Sequence, residues 1–346
     1  MFLDRMLRAY EIQNLKAHIV IADASHEQES AAVKVAVERA ARQLDVDYRP
    51  YPQDLPFHQR VLDAVGSVPT DFAVLGADDD IFTSAGLHSA AEFLQADPGY
   101  SAAHGLALVF EVEPGPAYGK PQRTAHYTQR GIELSTGALR LTDHLSKYTT
   151  TWYSMQRTQQ LCANFRKAGP FDPDYFMELL PSCLSVIHGK TKKMDRLYML
   201  RQVHRLTDRE KQQRHDRGLS VFDWITEPNF ALLYRRFENC LSEELSLRDG
   251  ISRDSAIDVV KNAFWRHLAR QLSNKWQQRY GPGSVSSPKS RLSGLVPGLP
   301  QIWQQGRSLL KGEQNQMLLP ALLRASSPYH QDFMPIYRAI QGDGAP

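Results

Sequence analysis

"VLGADDDIF" at residues 74–82 places three consecutive carboxylates directly after a short apolar run. The run predicts the end of a buried strand, and three like charges side by side repel one another there. Asp78 and Asp80 are two residues apart, so in an extended segment their side chains point to the same side. Two carboxylates so placed can hold a hard divalent cation, which prefers oxygen ligands and bridges to phosphate oxygens. A solvated acidic turn before the next helix is the open alternative.

The first 110 residues alternate between strand and helix patterns. Apolar runs at 17–23, 46–51, 71–77 and 100–110 predict strands, and the segments at 24–44, 54–68 and 86–96 have helical periodicity. Alternation with short connections is typical of an open α/β sheet with parallel strands. Ligands of such sheets bind outside the carboxyl ends of the strands.

Asp23 closes the first predicted strand, "AHIVIAD" at 17–23. A carboxylate at a strand end can accept hydrogen bonds from a base or a ribose. The alternative is that Asp23 caps the following helix together with Ser25. Because both Asp23 and the acidic triplet follow predicted strands, we expect them at one edge of the sheet.

Glu178 lies in a predicted helix with Met177 and Leu179 on either side. Partial removal from water raises the pKa of a carboxyl group and suits it to accept a proton. An ordinary exposed glutamate is the alternative, and Asp172 and Asp174 are nearby competitors for the same role.

Composition narrows the class of protein. The chain has 346 residues, of which 42% are hydrophobic and 23% charged, as is typical of a soluble globular protein. The net charge of +3 is too small to indicate nucleic-acid binding. The three cysteines show no zinc or disulfide spacing, the N-terminus has no signal peptide pattern, and no apolar run reaches the length of a membrane span. These features predict a cytoplasmic protein.

The pattern changes after about residue 145 to mostly helical. The segment "MDRLYMLRQVHRL" at 194–206 predicts a helix, and 254–280 predicts a long helix that is basic on one side. We predict domains at 1–205 and 206–346, with a Gly/Pro/Ser-rich linker near 280–300. The segment at 299–325 could lie on the inner face of a membrane. Packing on the first domain or on a second subunit is the favoured interpretation.

Five short motifs in order resemble bacterial GT-A-type glycosyltransferases related to the inverting family 2. They are "IVIADAS" (19–25), "FAVLGADDDIF" (72–82), "AAEFLQADPGYSAAHG" (90–105), "KYTTTWYSMQRTQQL" (147–161) and "FMELLPSCLSVIHGK" (176–190). The acidic triplet is the most specific of them. The resemblance implies the GT-A (nucleotide-diphospho-sugar transferase) fold, which is α/β with a Rossmann-like, mostly parallel sheet. Here that fold would carry a helical C-terminal extension.

The resemblance also implies residue roles. Asp23 matches the acid that contacts the base of a nucleotide-diphosphate-sugar donor. The triplet matches the DXD motif, with Asp78 and Asp79 on the ribose and Asp80, helped by Asp78, on a Mn²⁺ or Mg²⁺ ion. Glu178 matches the base that deprotonates the acceptor hydroxyl. The implied function is a metal-dependent, inverting transfer to a saccharide or lipid-linked acceptor in bacterial surface polysaccharide synthesis, with a retaining outcome left open.

Two other functions stay open. A sugar-phosphate nucleotidyltransferase needs a glycine-rich phosphate loop after the first strand, and "ADASHEQES" (22–30) contains no glycine. A non-catalytic GT-A-like module would bind a saccharide or a protein partner without turnover, and the intact acidic triplet weighs against it.

Overall fold

The computed structural model describes residues 1–115, 117–171, 174–203, 221–280 and 317–342. The elements of the first half are α1 (Phe2–Ile12), β1 (His18–Asp23), α2 (Glu27–Ala40), β2 (Asp45–Pro50), α3 (Phe57–Gly66), β3 (Phe72–Ala73), β4 (Asp80–Phe82), α4 (Ser84–Ala96), β5 (Tyr100–Pro114) and β6 (Gly119–Tyr127). The remaining elements are α5 (Gly137–Ser146), β7 (Met155–Arg157), α6 (Thr158–Ala168), α7 (Phe176–His188), β8 (Lys190–Gln202), α8 (Val221–Thr226), α9 (Phe230–Asp249), α10 (Arg253–Tyr280), α11 (Leu319–Leu322) and α12 (His330–Gln341). The predicted α/β class is confirmed.

The described strands form two sheets, of which the larger has mixed strand orientation. β1 and β2 pair in parallel as a two-stranded sheet. The second sheet has the order β3-β7-β5-β8-β4, and β6 adds to β5 as an antiparallel hairpin. The long β5–β8 pair is parallel, whereas β3–β7, β5–β7 and β4–β8 are antiparallel. The antiparallel β4–β8 pair places the acidic triplet against the end of β8.

A first hydrophobic core covers the large sheet. α2 contributes the helical spacing seen in the sequence, with Val33, Val37 and Ala40 buried. The C-terminal α12 buries Phe333 and Ile336 in this same core. Met317 and Leu322 belong to this core as well, so the described residues 317–342 pack on the large sheet.

A second core lies among the helices after β6. Phe176 of α7 packs on aromatic rings of the later helices, including Trp224, Phe237 and Phe264 at ring-centre distances of 4.8, 4.9 and 5.7 Å. This core joins α5 and α7 to α8, α9 and α10. The predicted helix at 254–280 is confirmed as α10. The domain boundary at 205 stays a prediction, and the linker at 281–300 lies outside the described residues.

The predicted helix at 194–206 is wrong, because residues up to 202 of this segment belong to strand β8. Leu197, Tyr198, Met199 and Leu200 are all buried, since both faces of this central strand are covered. A strand covered on both faces reads as a continuous apolar run without alternation. The charged residues on either side of this run then give the segment a spacing that resembles helical periodicity.

The third predicted strand is also much shorter than expected. Only Phe72–Ala73 of the segment at 71–77 pairs as β3. The backbone N–H of Asp80 donates to the carbonyl of Ala77 at 3.2 Å, so the chain turns before β4 begins. Asp78 and Asp79 therefore lie in a turn and not in an extended segment.

Candidate functional site

The turn at 77–80 separates the three carboxylates by depth. Asp78 is exposed, Asp79 is partly buried, and Asp80 retains 1% of its accessible surface. The premise that Asp78 and Asp80 share one side of an extended strand is wrong, because the turn breaks the two-residue alternation. The repulsion within the triplet is offset by two arginines from distant parts of the chain.

Arg5 of α1 lies on what we call the closed side of the triplet, where no part of its side chain reaches solvent. Its guanidinium donates to the carbonyl of Ala117 at 2.7 Å, to the side chain of Gln202, and to the backbone carbonyl of Asp79 at 3.1 Å. Burial lowers the pKa of Arg5 to about 10, and the charge of Asp79 opposes that change. Arg5 therefore stays charged at neutral pH and holds the turn from beneath.

Arg201 of β8 lies on the opposite, open side. It pairs across the strands with Asp80, and its Nε is 3.8 Å from Asp80 Oδ1. Its guanidinium packs over the rings of Tyr153 and Tyr127, at 4.7 and 5.4 Å from their centres, and donates to the Tyr127 hydroxyl at 3.2 Å. Because 34% of the Arg201 side chain is exposed, a ligand can reach it.

Asp80 is a buried carboxylate whose hydrogen-bonding capacity is unused. Among the described residues, neither of its carboxylate oxygens has a hydrogen-bond partner. Burial raises the pKa of Asp80 to about 7, and the nearby charge of Arg201 opposes that rise. A buried carboxylate without hydrogen bonds destabilises a fold, so Asp80 is a candidate functional residue.

Glu178 in the first turn of α7 belongs to the same site. The Tyr148 hydroxyl donates to its Oε1 at 3.0 Å. Burial raises the pKa of Glu178, and the charge of Arg201 acts on this carboxyl group as it acts on Asp80. The predicted desolvation of Glu178 is confirmed, and its catalytic role stays a prediction.

Asp174, a competitor for the role of base, has a structural task. It accepts hydrogen bonds from the backbone N–H of Phe176 at 2.8 Å and from the Trp224 indole at 3.1 Å. It thereby ties the start of α7 to the helical core. Asp172, the other competitor, lies outside the described residues.

Asp23 belongs to a separate hydrogen-bond network at the end of β1. Its Oδ1 accepts from the backbone N–H of Ser25 at 2.8 Å, and its Oδ2 accepts from the Tyr48 hydroxyl at 2.8 Å. Burial acts to raise the pKa of Asp23, but these hydrogen bonds and the charge of Arg60 lower it overall. The capping alternative is wrong, because α2 begins after His26 and has no side-chain cap. The role of Asp23 toward a nucleotide base stays a prediction.

The described residues do not fit a divalent cation as they are arranged. Within the ranges that the structure covers, no group of three or more acidic, histidine or cysteine side chains is placed to share a metal ion. Asp78 is exposed on the turn, whereas Asp80 is buried beside the guanidinium of Arg201. A cation at Asp80 would therefore meet another positive charge.

Sequence reasoning missed Arg5, Arg201 and Tyr148. Arg201 follows the apolar run at 197–200. If that run had been predicted as a strand, Arg201 would have been predicted at the strand end, as Asp23 and the acidic triplet were. Arg5 and Tyr148 carry no local signal, because only the tertiary fold brings them to their partners.

No protein-family model matches the chain, and a sequence search among curated proteins also finds no match. The fold is similar to the crystal structure of S. aureus TarS 1-349 in complex with UDP-GlcNAc. That likeness has a TM-score of 0.50 and 11% sequence identity, and covers 98% of this chain and 85% of that chain. Another crystal structure of S. aureus TarS 1-349 has a TM-score of 0.49 and 12% identity, with the same coverage.

At this identity the likeness shows the fold alone. It confirms the predicted GT-A-like α/β fold class with substantial helical content. No helix among the described residues combines the length and apolar character that crossing a bilayer requires. Residues 299–316, most of the segment at 299–325 for which a membrane contact was the alternative to packing, lie outside the described residues.

Proposed function

We propose that this chain is a glycosyltransferase that uses a nucleotide-diphosphate-sugar donor. The observation that carries the proposal is one site that combines the buried, unsatisfied Asp80, the reachable Arg201 and the desolvated Glu178. Two acids and the partly exposed guanidinium of Arg201 lie at the edge of the sheet in a GT-A-like fold. This combination suits a ligand that contains a diphosphate and a sugar.

The similar TarS structure supports the donor class. That TarS structure is a complex with UDP-GlcNAc, so uridine nucleotides are the first donors to test here. Under this proposal Asp23 contacts the base, and Asp78 and Asp79 contact the ribose. The exposure of Asp78 and partial exposure of Asp79 agree with that assignment.

Glu178 is the base in the proposed reaction. Its carboxylate accepts the proton of an acceptor hydroxyl, whose oxygen attacks the anomeric carbon. The bond from that carbon to the diphosphate oxygen breaks, the diphosphate takes the electron pair, and the configuration inverts. The raised pKa of Glu178 brings a carboxylate closer to the range in which a general base is effective.

Metal dependence is a separate hypothesis. Mn²⁺ or Mg²⁺ at Asp80 and Asp78 comes from the sequence, and the arrangement of those two carboxylates gives it no support. No step above requires the ion, so dependence on Mn²⁺ is measured as an independent variable. The acceptor is proposed to be a saccharide or a lipid-linked molecule, in surface polysaccharide synthesis. A peripheral membrane contact and a homo-oligomer are further hypotheses.

Thermal unfolding with a panel of nucleotide-diphosphate sugars tests the donor class. A ligand that binds only the folded state raises the melting temperature, by an amount set by its concentration relative to Kd. We expect one nucleotide family to raise it and to be hydrolysed slowly when water replaces the acceptor. Glu178→Gln should keep the thermal shift and lose the hydrolysis.

Two results would count against the proposal. If no nucleotide sugar changes the melting temperature, the donor site is not there. If a nucleotide sugar binds but no acceptor mixture yields a glycoside, the non-catalytic module becomes the better interpretation.

A further inference from the structure

We infer that Arg201 itself binds the donor diphosphate and carries the charge of the leaving group, so that the site needs no divalent cation. This inference rests on the proposed function and names the group that recognises the phosphates. Three features of Arg201 carry it: its unused donors, its fixed orientation and its position beside Asp80.

The hydrogen-bonding capacity of Arg201 is largely free for a ligand. A guanidinium has five N–H donors in a planar fork that matches two phosphate oxygens. In the part of the chain that the structure describes, Arg201 makes one hydrogen bond, to Tyr127. Its contact with Asp80 is at 3.8 Å, which is an ion pair and not a hydrogen bond.

The orientation of Arg201 is set before any ligand binds. The rings of Tyr153 and Tyr127 lie within 5.4 Å of its guanidinium carbon, and β8 fixes its backbone opposite Asp80. A donor group that is already positioned stabilises developing negative charge with little reorganisation. The 34% exposed fraction of its side chain leaves an approach for a phosphate.

The guanidinium beside Asp80 favours a phosphate over a metal ion at this position. Asp80 is the acid that contacts Arg201, and Asp78 lies exposed in the turn. An incoming diphosphate gains the guanidinium, whereas an incoming cation must compete with it for Asp80. In the transfer step the electron pair of the broken bond stays on the diphosphate oxygen, whose charge Arg201 then shares without giving up a proton.

Calorimetric titration with nucleoside diphosphates tests the inference. UDP is titrated first, then the diphosphates of the other bases, into the full chain in EDTA and again in Mn²⁺. The variants are Arg201→Ala and Arg201→Lys, and Arg196→Ala is the matched control. Arg196 lies on the same strand with 48% of its side chain exposed and pairs with Asp332 at 3.5 Å. It therefore reports the loss of one surface arginine charge from β8.

We expect a nucleoside diphosphate to bind wild type in EDTA with an affinity that Mn²⁺ changes little. Arg201→Ala should weaken binding by about 10-fold or more, because hydrogen bonds to charged groups contribute about that much. The affinity of Arg201→Lys should lie between those of wild type and Arg201→Ala, since lysine keeps the charge but lacks the planar pair of N–H donors. Arg196→Ala should bind as wild type does. A melting curve of each variant shows that it is folded.

Other outcomes overturn the inference in distinguishable ways. Binding that appears only with Mn²⁺ and is equal in wild type and Arg201→Lys would reject the role of Arg201 and leave the glycosyltransferase proposal intact. Binding in EDTA that Arg201→Ala and Arg196→Ala weaken equally would reduce Arg201 to a general surface charge. No binding of any nucleoside diphosphate, with or without Mn²⁺, would reject both proposals.

Discussion

The acidic triplet has two sides, each with one arginine, and the two arginines differ in burial and in the number of hydrogen bonds that they make. On the closed side, Arg5 is fully buried and donates to three acceptors. On the open side, Arg201 is partly exposed and lies 3.8 Å from Asp80 without a hydrogen bond to it. Buried groups that make several hydrogen bonds stabilise a fold, whereas reachable groups with unused hydrogen-bonding capacity are available to a ligand. The closed side should therefore control stability, and the open side should control binding and catalysis.

Replacement of the base on the open side should have the largest effect. Glu178→Gln should lower the transfer rate by roughly 10²–10⁴-fold, the usual contribution of general base catalysis. Burial raises the pKa of Glu178 in the fold, so its ionised form costs stability as the pH rises above the unfolded value. The variant should therefore melt at the same temperature as wild type or higher at pH 8. A melting temperature that falls together with the rate would place Glu178 in the scaffold.

Replacement of the closed-side arginine should have the next largest effect, on stability. Arg5→Met leaves the carbonyls of Ala117 and Asp79 and the amide of Gln202 without their donor. We expect a loss of roughly 3 kcal/mol or more in the free energy of unfolding, measured by urea denaturation. Arg42→Met, at an exposed position, is the control and should change little. Equal curves for the two variants would remove the structural role assigned to Arg5.

The same denaturation experiment on the open side should give a small effect. Arg201→Met should cost less than Arg5→Met, because Arg201 is partly exposed and Asp80 can take up a proton once the guanidinium is gone. If Arg201→Met and Arg5→Met lower the free energy of unfolding equally, the claim that only the closed side controls stability is wrong.

The smallest effect should come from the hydrogen bond that holds Glu178. The Tyr148 hydroxyl donates to the carboxylate and so acts to lower its pKa. In Tyr148→Phe the pKa of Glu178 should rise, because the charged form loses a donor. The acid limb of kcat/KM against pH should then move to higher pH, by about one unit or less.

The control for this shift is another tyrosine that donates to a glutamate. Tyr234 donates to Glu238 at 3.2 Å in the helical core, so Tyr234→Phe should leave the acid limb in place. The charge of Arg201 also acts on Glu178, and it is unchanged in both variants. An acid limb that does not move in Tyr148→Phe would mean that Glu178 is not the base seen in the profile.

Much of the fold could be predicted from periodicity. α2 and α10 occur close to where their patterns place them, because each packs on one side and leaves the other to solvent. β1 occurs where its apolar run places it. β8 could not be predicted in this way, because its buried residues 197–200 are covered on both faces. Because of that error, Arg201 was not predicted near the acidic triplet, since the wrongly predicted helix gave it no position in the sheet.

The acidic residues of the candidate site could be predicted from the sequence, whereas its two arginines could not. The position of the triplet after an apolar run was visible in the sequence, as was the apolar setting of Glu178. The charges that offset the triplet come from α1 and β8, and no local pattern reports a contact across such separations. A metal ion was the natural expectation for three adjacent carboxylates until Arg5 and Arg201 were seen beside them.

A crystal structure of the full chain with a bound nucleoside diphosphate, grown in Mn²⁺, would test the central claim most directly. We predict phosphate oxygens within hydrogen-bond distance of the Arg201 guanidinium, the base beside Asp23, and no metal ion between Asp78 and Asp80. A Mn²⁺ ion that bridges Asp80 and the diphosphate, with Arg201 turned away, would contradict the account.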